Sequence, residues 1–234
     1  MAALLGRGVD LLAAGEADRA RPLLERHAAA RPDDAEGASS LGLCLLALAE
    51  NTAARVALER AAALEPGRAL HRWNLAAAAH REGRLGGCYL ALVTYLALAE
   101  AGAADHAGTD PAQLAVARHF VADYERVARL ESPELGAAEL ARADDDLHRA
   151  RWLLRGGRAR EAIGVLRGAL EAAPTLPGLW SHLASACLAC GRAAEARRAG
   201  LRALALCPTD LLARKTVDDA VAAQSVTRRR RRTK

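Results

Sequence analysis

The chain is poor in aromatic residues and in lysine. Aromatic side chains make up 3% of its 234 residues, so a core has to be assembled from small and aliphatic ones. Alanine and leucine fill that role here, and both are strong helix formers. The β-branched and aromatic residues that favour strands are scarce, which argues against a sheet. An all-α fold is the first expectation. Only two lysines, Lys215 and Lys234, stand among 33 basic residues. That bias is the mark of a gene rich in G and C, and it implies no arginine-specific chemistry.

Paired cysteines and long apolar runs are also missing. Five cysteines (Cys44, Cys88, Cys187, Cys190 and Cys207) are an odd number and make no complete disulfide framework. The longest uncharged apolar run, Leu85 to Ala99, has 15 residues. A membrane span needs about 20, so this run reads as a buried helix. The N-terminal stretch MAALLGRGVDLLAAGEADRA carries Arg7 and Asp10 inside its apolar part. It reads as an amphipathic helix rather than a signal peptide. The expectation is a soluble, cytoplasmic protein.

Catalytic signatures are absent too. The seven histidines (27, 71, 80, 106, 119, 148 and 182) are scattered. There is no His-Glu-x-x-His, no Gly-x-Ser-x-Gly and no phosphate-binding glycine loop. Cys187-x-x-Cys190 lacks the second ligand pair that a structural zinc site requires, and small apolar filling of a helix is its better reading. Asp144, Asp145 and Asp146 follow one another directly, so on a helix they point about 100° apart and cannot converge on one ion. They read as a solvated helix start. The chain is therefore expected to be no enzyme, with no metal and no cofactor.

Charge is placed unevenly. The net charge is +5, and Arg228 to Lys234 alone carry +6, which leaves the body at −1. A basic nucleic-acid-binding body is excluded, and only the tail is basic. Residues 225–234 read as a disordered basic tail. Arg228, Arg229, Arg230, Arg231 and Arg232 are its electrostatic residues, able to hold nucleic acid or an anionic membrane by charge.

What the sequence does have is a repeat. Gly191 to Pro208 reads GRAAEARRAGLRALALCP, and Gly157 to Pro174 reads GRAREAIGVLRGALEAAP, 34 residues earlier. Pro32, Pro66, Pro174 and Pro208 end four such stretches, spaced 34, 108 and 34 apart. Proline removes a backbone donor and clashes with the previous turn, so each one ends a helix. The pairs Ala54 and Ala61, Ala162 and Ala169, and Ala196 and Ala203 put small side chains on one helical face. Leu58 and Leu166 lie between them and fill the gap, whereas Gly200 stands in the corresponding place of the last stretch. Gly15, Gly83, Gly157 and Gly191 allow tight turns. An apolar helix precedes each stretch. Trp73, Leu75, Ala76 and Ala79 open one unit, and Trp180, Leu183, Ala184 and Cys187 open another, always with a small residue where two helices approach.

This pattern resembles the tetratricopeptide repeat (TPR), a helical hairpin of 34 residues. The resemblance implies a right-handed superhelical solenoid of TPR-like hairpins, finished by a capping helix with a polar outer face. The organisation expected is N-terminal units over 1–102, the third degenerate, then a divergent helical spacer or worn repeat over 103–142. Two further units follow over 143–210, a capping helix over 211–224 and the basic tail. In the third unit Cys88 and Tyr95 replace small residues and Glu100 replaces the proline. Tyr89, Tyr95, Phe120 and Tyr124 are expected to fill the irregular junction after it. The gap at Gly200 is expected to be filled by Leu211 or Leu212, or by a partner.

The resemblance also implies a protein-interaction scaffold or adaptor that holds a peptide or partner helix in a concave groove lined by the first helix of each hairpin. The candidate residues are Trp73, Asn74, His80 and Arg81, then His148, Arg151 and Arg155, then Ser181, His182 and Ser185. The first two units offer the more apolar Leu5, Val9, Leu12, Ser39, Leu43 and Leu46. An acidic segment with an apolar anchor would suit such a groove. The chaperone-binding TPR subclass uses a Lys/Asn/Arg carboxylate clamp. Its positions read here as Leu5, Val9, Ser40, Leu70 and Asn74, so only the Asn matches and that specificity is not expected. The alternative is a regulator tethered to nucleic acid or an anionic membrane by the arginine tail.

Overall fold

The computed structural model describes residues 2–101 and 110–232, with side chains from residue 3 to residue 225. Among the described residues there are twelve α-helices and no strand. Among the described residues no helix is long and apolar enough to cross a membrane. The chain forms two compact units, residues 1–131 and 132–234.

The first unit holds three hairpins: α1 (Ala2–Ala13) with α2 (Ala17–Ala30), α3 (Ala35–Ala47) with α4 (Asn51–Leu64), and α5 (Ala69–Arg81) with α6 (Leu85–Glu100). A single helix, α7 (Pro111–Glu131), then packs on α6. The second unit holds α8 (Ala137–Arg155) with α9 (Ala159–Ala172) and α10 (Pro177–Ala189) with α11 (Ala193–Leu206). It closes with α12 (Leu211–Arg232), which packs on α10 and α11.

The repeat signals act as their chemistry requires. The residue before each terminal proline (Arg31, Glu65, Ala173, Cys207) leaves the helix at φ of −130°, −124°, −130° and −138°, because the proline ring disfavours a helical predecessor. Where Glu100 replaces proline, α6 runs to 16 residues against 14 for α4. Ala54, Ala61, Ala162, Ala196 and Ala203 have no exposed surface, and Leu58 and Leu166 are fully buried between them. The small residue of the facing helix is needed for this fit: a Cβ added at Gly42 would lie 2.5 Å from Leu58 Cγ. Four hairpin turns use a glycine at positive φ (Gly15, Gly83, Gly157, Gly191), and the second uses Ala49 at φ 61°.

Successive hairpins are tied by recurring polar links. Asp34 caps α3 through Oδ1, accepting from the backbone N–H of Glu36 (3.1 Å) and Gly37 (3.2 Å). Its Oδ2 lies 2.6 Å from Nε2 of the buried His27 on α2. Asp210 does the same at the other end, accepting from Ala213 N at 2.9 Å and from the Ser181 hydroxyl. Arg21–Glu50 (2.6 Å), Arg55–Glu82 (2.9 Å) and Arg167–Glu195 (3.0 Å) join the second helix of one hairpin to the next hairpin.

Several expectations need correction. Of the segment 103–142, residues 111–131 form α7 and residues 137–142 open α8, while residues 102–109 lie outside the described residues. Asp110 caps α7 by accepting from Ala112 N at 2.8 Å, with Pro111 at the first helical position, where it is best tolerated. The fourth hairpin starts at Ala137, not at residue 143. Glu139 reaches back to the Gly136 N–H at 3.1 Å and secures that early start. Asp144, Asp145 and Asp146 therefore sit in the middle of α8 rather than at its beginning. Burial raises the Asp146 pKa, with the Asp145 charge adding to it. The capping helix does not stop at residue 224: the backbone of 225–232 continues α12 where disorder was expected. Neither Gly nor Pro interrupts it after Leu211, and Gln, Ala and Arg are sound helix formers.

The gap at Gly200 is closed by neither leucine expected. Leu211 is 75% and Leu212 39% exposed. A Cβ added at Gly200 would meet Val217 Cγ2 at 2.6 Å, so the second turn of α12 supplies the missing side chain.

Candidate partner-binding faces

In residues 1–131 the structure uses most of the candidate residues for packing. The Trp73 ring lies 5.5 Å from that of Tyr95, which is fully buried in place of a small residue. Asn74 is buried and donates from Nδ2 to Ser39 Oγ at 3.4 Å, linking α5 to α3. His80 meets the Phe120 ring edge-on at 6.1 Å. Arg81 donates to the Leu46 carbonyl at 2.6 Å. Tyr89 stacks on Tyr124 at 4.6 Å and donates its hydroxyl to Glu125 at 3.2 Å. The four expected aromatics thus fill the α5–α6–α7 junction. Of the apolar candidates, Val9 and Leu43 are exposed, Leu5 and Leu12 are half-buried against the core of Ala17, Ala20, Leu24 and Cys44, and Ser39 and Leu46 are buried.

In residues 132–234 the candidates divide. Ser181 is buried, held by Asp210 and by the Pro177 carbonyl at 3.0 Å. Ser185 donates to the Ser181 carbonyl at 3.2 Å and meets Thr216 Oγ1 of α12 at 3.3 Å. Both serines fasten helices together and are not part of an open face. Arg151 and Arg155 are different. They stand one turn apart on α8, exposed, and neither makes an ion pair or hydrogen bond with another described residue. His148 is half-exposed one turn earlier.

His182 on α10 completes that face. Its Nδ1 donates to the Gly178 carbonyl at 2.8 Å. Burial lowers its pKa, and the nearby Arg151 charge acts in the same direction. The ring is therefore neutral at pH 7, protonated on Nδ1, with the Nε2 lone pair left to accept. Two guanidinium groups and a neutral acceptor can hold a carboxylate-bearing chain and one of its donors.

Cys187 is buried and Cys190 half-buried at the end of α10, and burial raises the Cys187 pKa. No group of three metal-ligating side chains occurs among the described residues. The five tail arginines lie in α12, and their side chains lie outside the described residues.

Helical hairpins, four of the five stopped by a proline and with those prolines 34 residues apart within each unit, make a solenoid of the kind that tetratricopeptide repeats form. No protein-family profile matches the sequence, and no curated protein does. Among solved structures the chain is similar to the TPR domain of P58(IPK), at 15% identity and a TM-score of 0.44. The match covers 96% of this chain, which spans 65% of that one. It is also similar to the TPR2AB domain in a pHSP90 complex of yeast Sti1, at 15% identity and a TM-score of 0.41, covering 94% and 82% of the two chains. A third is TTC0263, a thermophilic TPR protein of Thermus thermophilus, at 23% identity and a TM-score of 0.33, covering 94% and 97%.

Proposed function

We propose that the protein is a scaffold that binds another protein through the α8–α10 face of its second unit. His148, Arg151, Arg155 and His182 carry the contact. The observation behind this reading is the pair Arg151 and Arg155: exposed, one turn apart, and without an acidic partner among the described residues. Other arginines on the hairpins, such as Arg21, Arg55, Arg158 and Arg167, are paired with Glu. Two unpaired guanidinium groups suit bidentate recognition of carboxylates. The partner is accordingly an acidic peptide or helix, with an apolar side chain set beside Leu147 and His148.

Affinity capture from a lysate with the full chain, followed by mass spectrometry, tests this. The Arg151→Glu/Arg155→Glu variant is expected to lose the specifically captured partner. Equal recovery by the variant and the unaltered chain rules the assignment out.

A further inference from the structure

The opposite side of α10 carries a second feature. On this helix Trp180, Leu183 and Cys187 fall on one stripe, and His182 and Ser185 lie roughly half a turn away. The first stripe forms the floor of an open cleft of about 630 Å³ between α9 and α11. That volume is in the usual range for a ligand cleft, about 300–1,000 Å³. Leu170 of α9 and Ala199 of α11 extend the apolar floor.

The rim is charged, and unevenly so. Arg167 and Glu171 stand on the α9 side; Glu195, Arg198 and Arg202 stand on the α11 side. Glu195 is already engaged by two arginines, Arg167 at 3.0 Å and Arg192 at 2.6 Å. Arg198 and Arg202 are exposed and pair with no other described residue. The α11 rim is therefore a positive edge beside an apolar floor that includes a half-exposed tryptophan.

From this geometry we infer a second, separate interaction surface: the α9–α10–α11 cleft receives a short acidic peptide segment. An apolar side chain of that segment seats on Trp180 and Leu183, and two carboxylates face Arg198 and Arg202. The two arginines are four residues apart, about 6 Å along the helix. Carboxylates at i and i+4 of a helix match that spacing. This surface does not depend on the α8–α10 face.

The test is fluorescence anisotropy of a fluorescein-labelled peptide, Glu-Asp-Phe-Leu-Asp-Glu, titrated with the full chain. Saturable binding is expected. The Arg198→Glu/Arg202→Glu variant should weaken it by about tenfold or more, as loss of a complementary charge pair does. The Arg151→Glu/Arg155→Glu variant should leave it unchanged. Both substituted pairs are exposed, so circular dichroism should show the same helicity throughout. The proposal is overturned by no binding, or by equal binding of a peptide with Ser-Ser in place of Phe-Leu. It is also overturned if the loss follows the Arg151/Arg155 variant instead, which would place the peptide on the α8–α10 face. Displacement by an oligo-dT strand at the same concentration would overturn it in favour of nucleic acid.

Discussion

Val217 occupies the space that Gly200 leaves empty, so the last hairpin is completed by the helix that follows it. A leucine at position 200, as in the twin stretch at Leu166, would compete with Val217 for one site. Gly200→Leu is therefore expected to destabilise the protein by about 1–3 kcal/mol, the usual cost of overpacking, in spite of the better helix propensity of Leu. Adding Val217→Ala to that variant should restore part of the loss. Urea unfolding of the two variants checks this, and strictly additive effects would show that the two positions do not share the site.

The fit of Leu58 against Gly42 makes a matching prediction in the first unit. Leu58→Ala removes a fully buried side chain and should cost about 2–5 kcal/mol. Gly42→Ala should cost about 1–3 kcal/mol, because the new Cβ meets Leu58 Cγ and lies 3.2 Å from the Ala54 carbonyl oxygen. In the double variant the alanine at 42 gains the room that Leu58 vacates. Its combined cost, read by denaturant unfolding, is expected to fall below the sum of the two.

Among the described residues, Ala49 is the one hairpin turn at positive φ that does not carry glycine. The left-handed conformation costs a residue with a Cβ about 1–2 kcal/mol. Glycine avoids that strain but adds freedom to the unfolded chain, about 0.4–1 kcal/mol. The balance predicts that Ala49→Gly stabilises the protein by about 0.5–1 kcal/mol. A higher melting temperature is the expected readout, and Gly83→Ala should move it the other way.

His71 gives the fold a pH dependence. The ring is buried, with Nε2 3.1 Å from Glu65 Oε2. Burial lowers its pKa, the Arg68 and Arg72 charges add to that, and Glu65 opposes it. The bond to His71, with help from Arg68, holds the Glu65 carboxyl below its usual range. Above the unfolded His pKa, about 6.5, neither state binds the proton and nothing changes. As pH falls below about 6.5, the unfolded chain takes up a proton that the folded ring resists, and stability drops. His182 adds a decline of the same sign, while the Glu65 contribution is lost only at lower pH, below its unfolded value of about 4.3. Unfolding free energies measured from pH 7 to pH 5 should fall less steeply for His71→Gln. Identical slopes would exclude His71 as a source.

Some of this fold is written locally in the sequence, and those parts were legible. Leu58, Leu166 and the alanines seven apart identify a buried face because a helix brings them together whatever surrounds it. The prolines end helices by their own chemistry. Asn74, Ser181 and Ser185 bond between helices, which the sequence does not show because polarity alone does not reveal whether water or another helix satisfies a side chain. Their partners, Ser39, Asp210 and Thr216, lie about one repeat away. The role of Val217 is hidden for a similar reason: nothing around it marks it as the complement of a glycine on another helix. The early start of α8 is signalled by Gly136 and Glu139, whereas the repeat spacing alone points to residue 143. Arg151 and Arg155 could be picked from sequence as exposed cations, whereas their lack of acidic partners is visible only in three dimensions.

The helix α7 has a consequence for inheritance. Arrays of repeats lengthen and shorten by copying units in phase. Within each unit the terminal prolines keep that phase, 34 residues apart, while from Pro66 to Pro174 the count runs six residues beyond three periods. The first array also ends in α7, a helix that has no hairpin mate among the described residues. The 34-residue phase therefore holds separately on each side of residue 131, and a hairpin copied within one unit would keep register with its own unit alone.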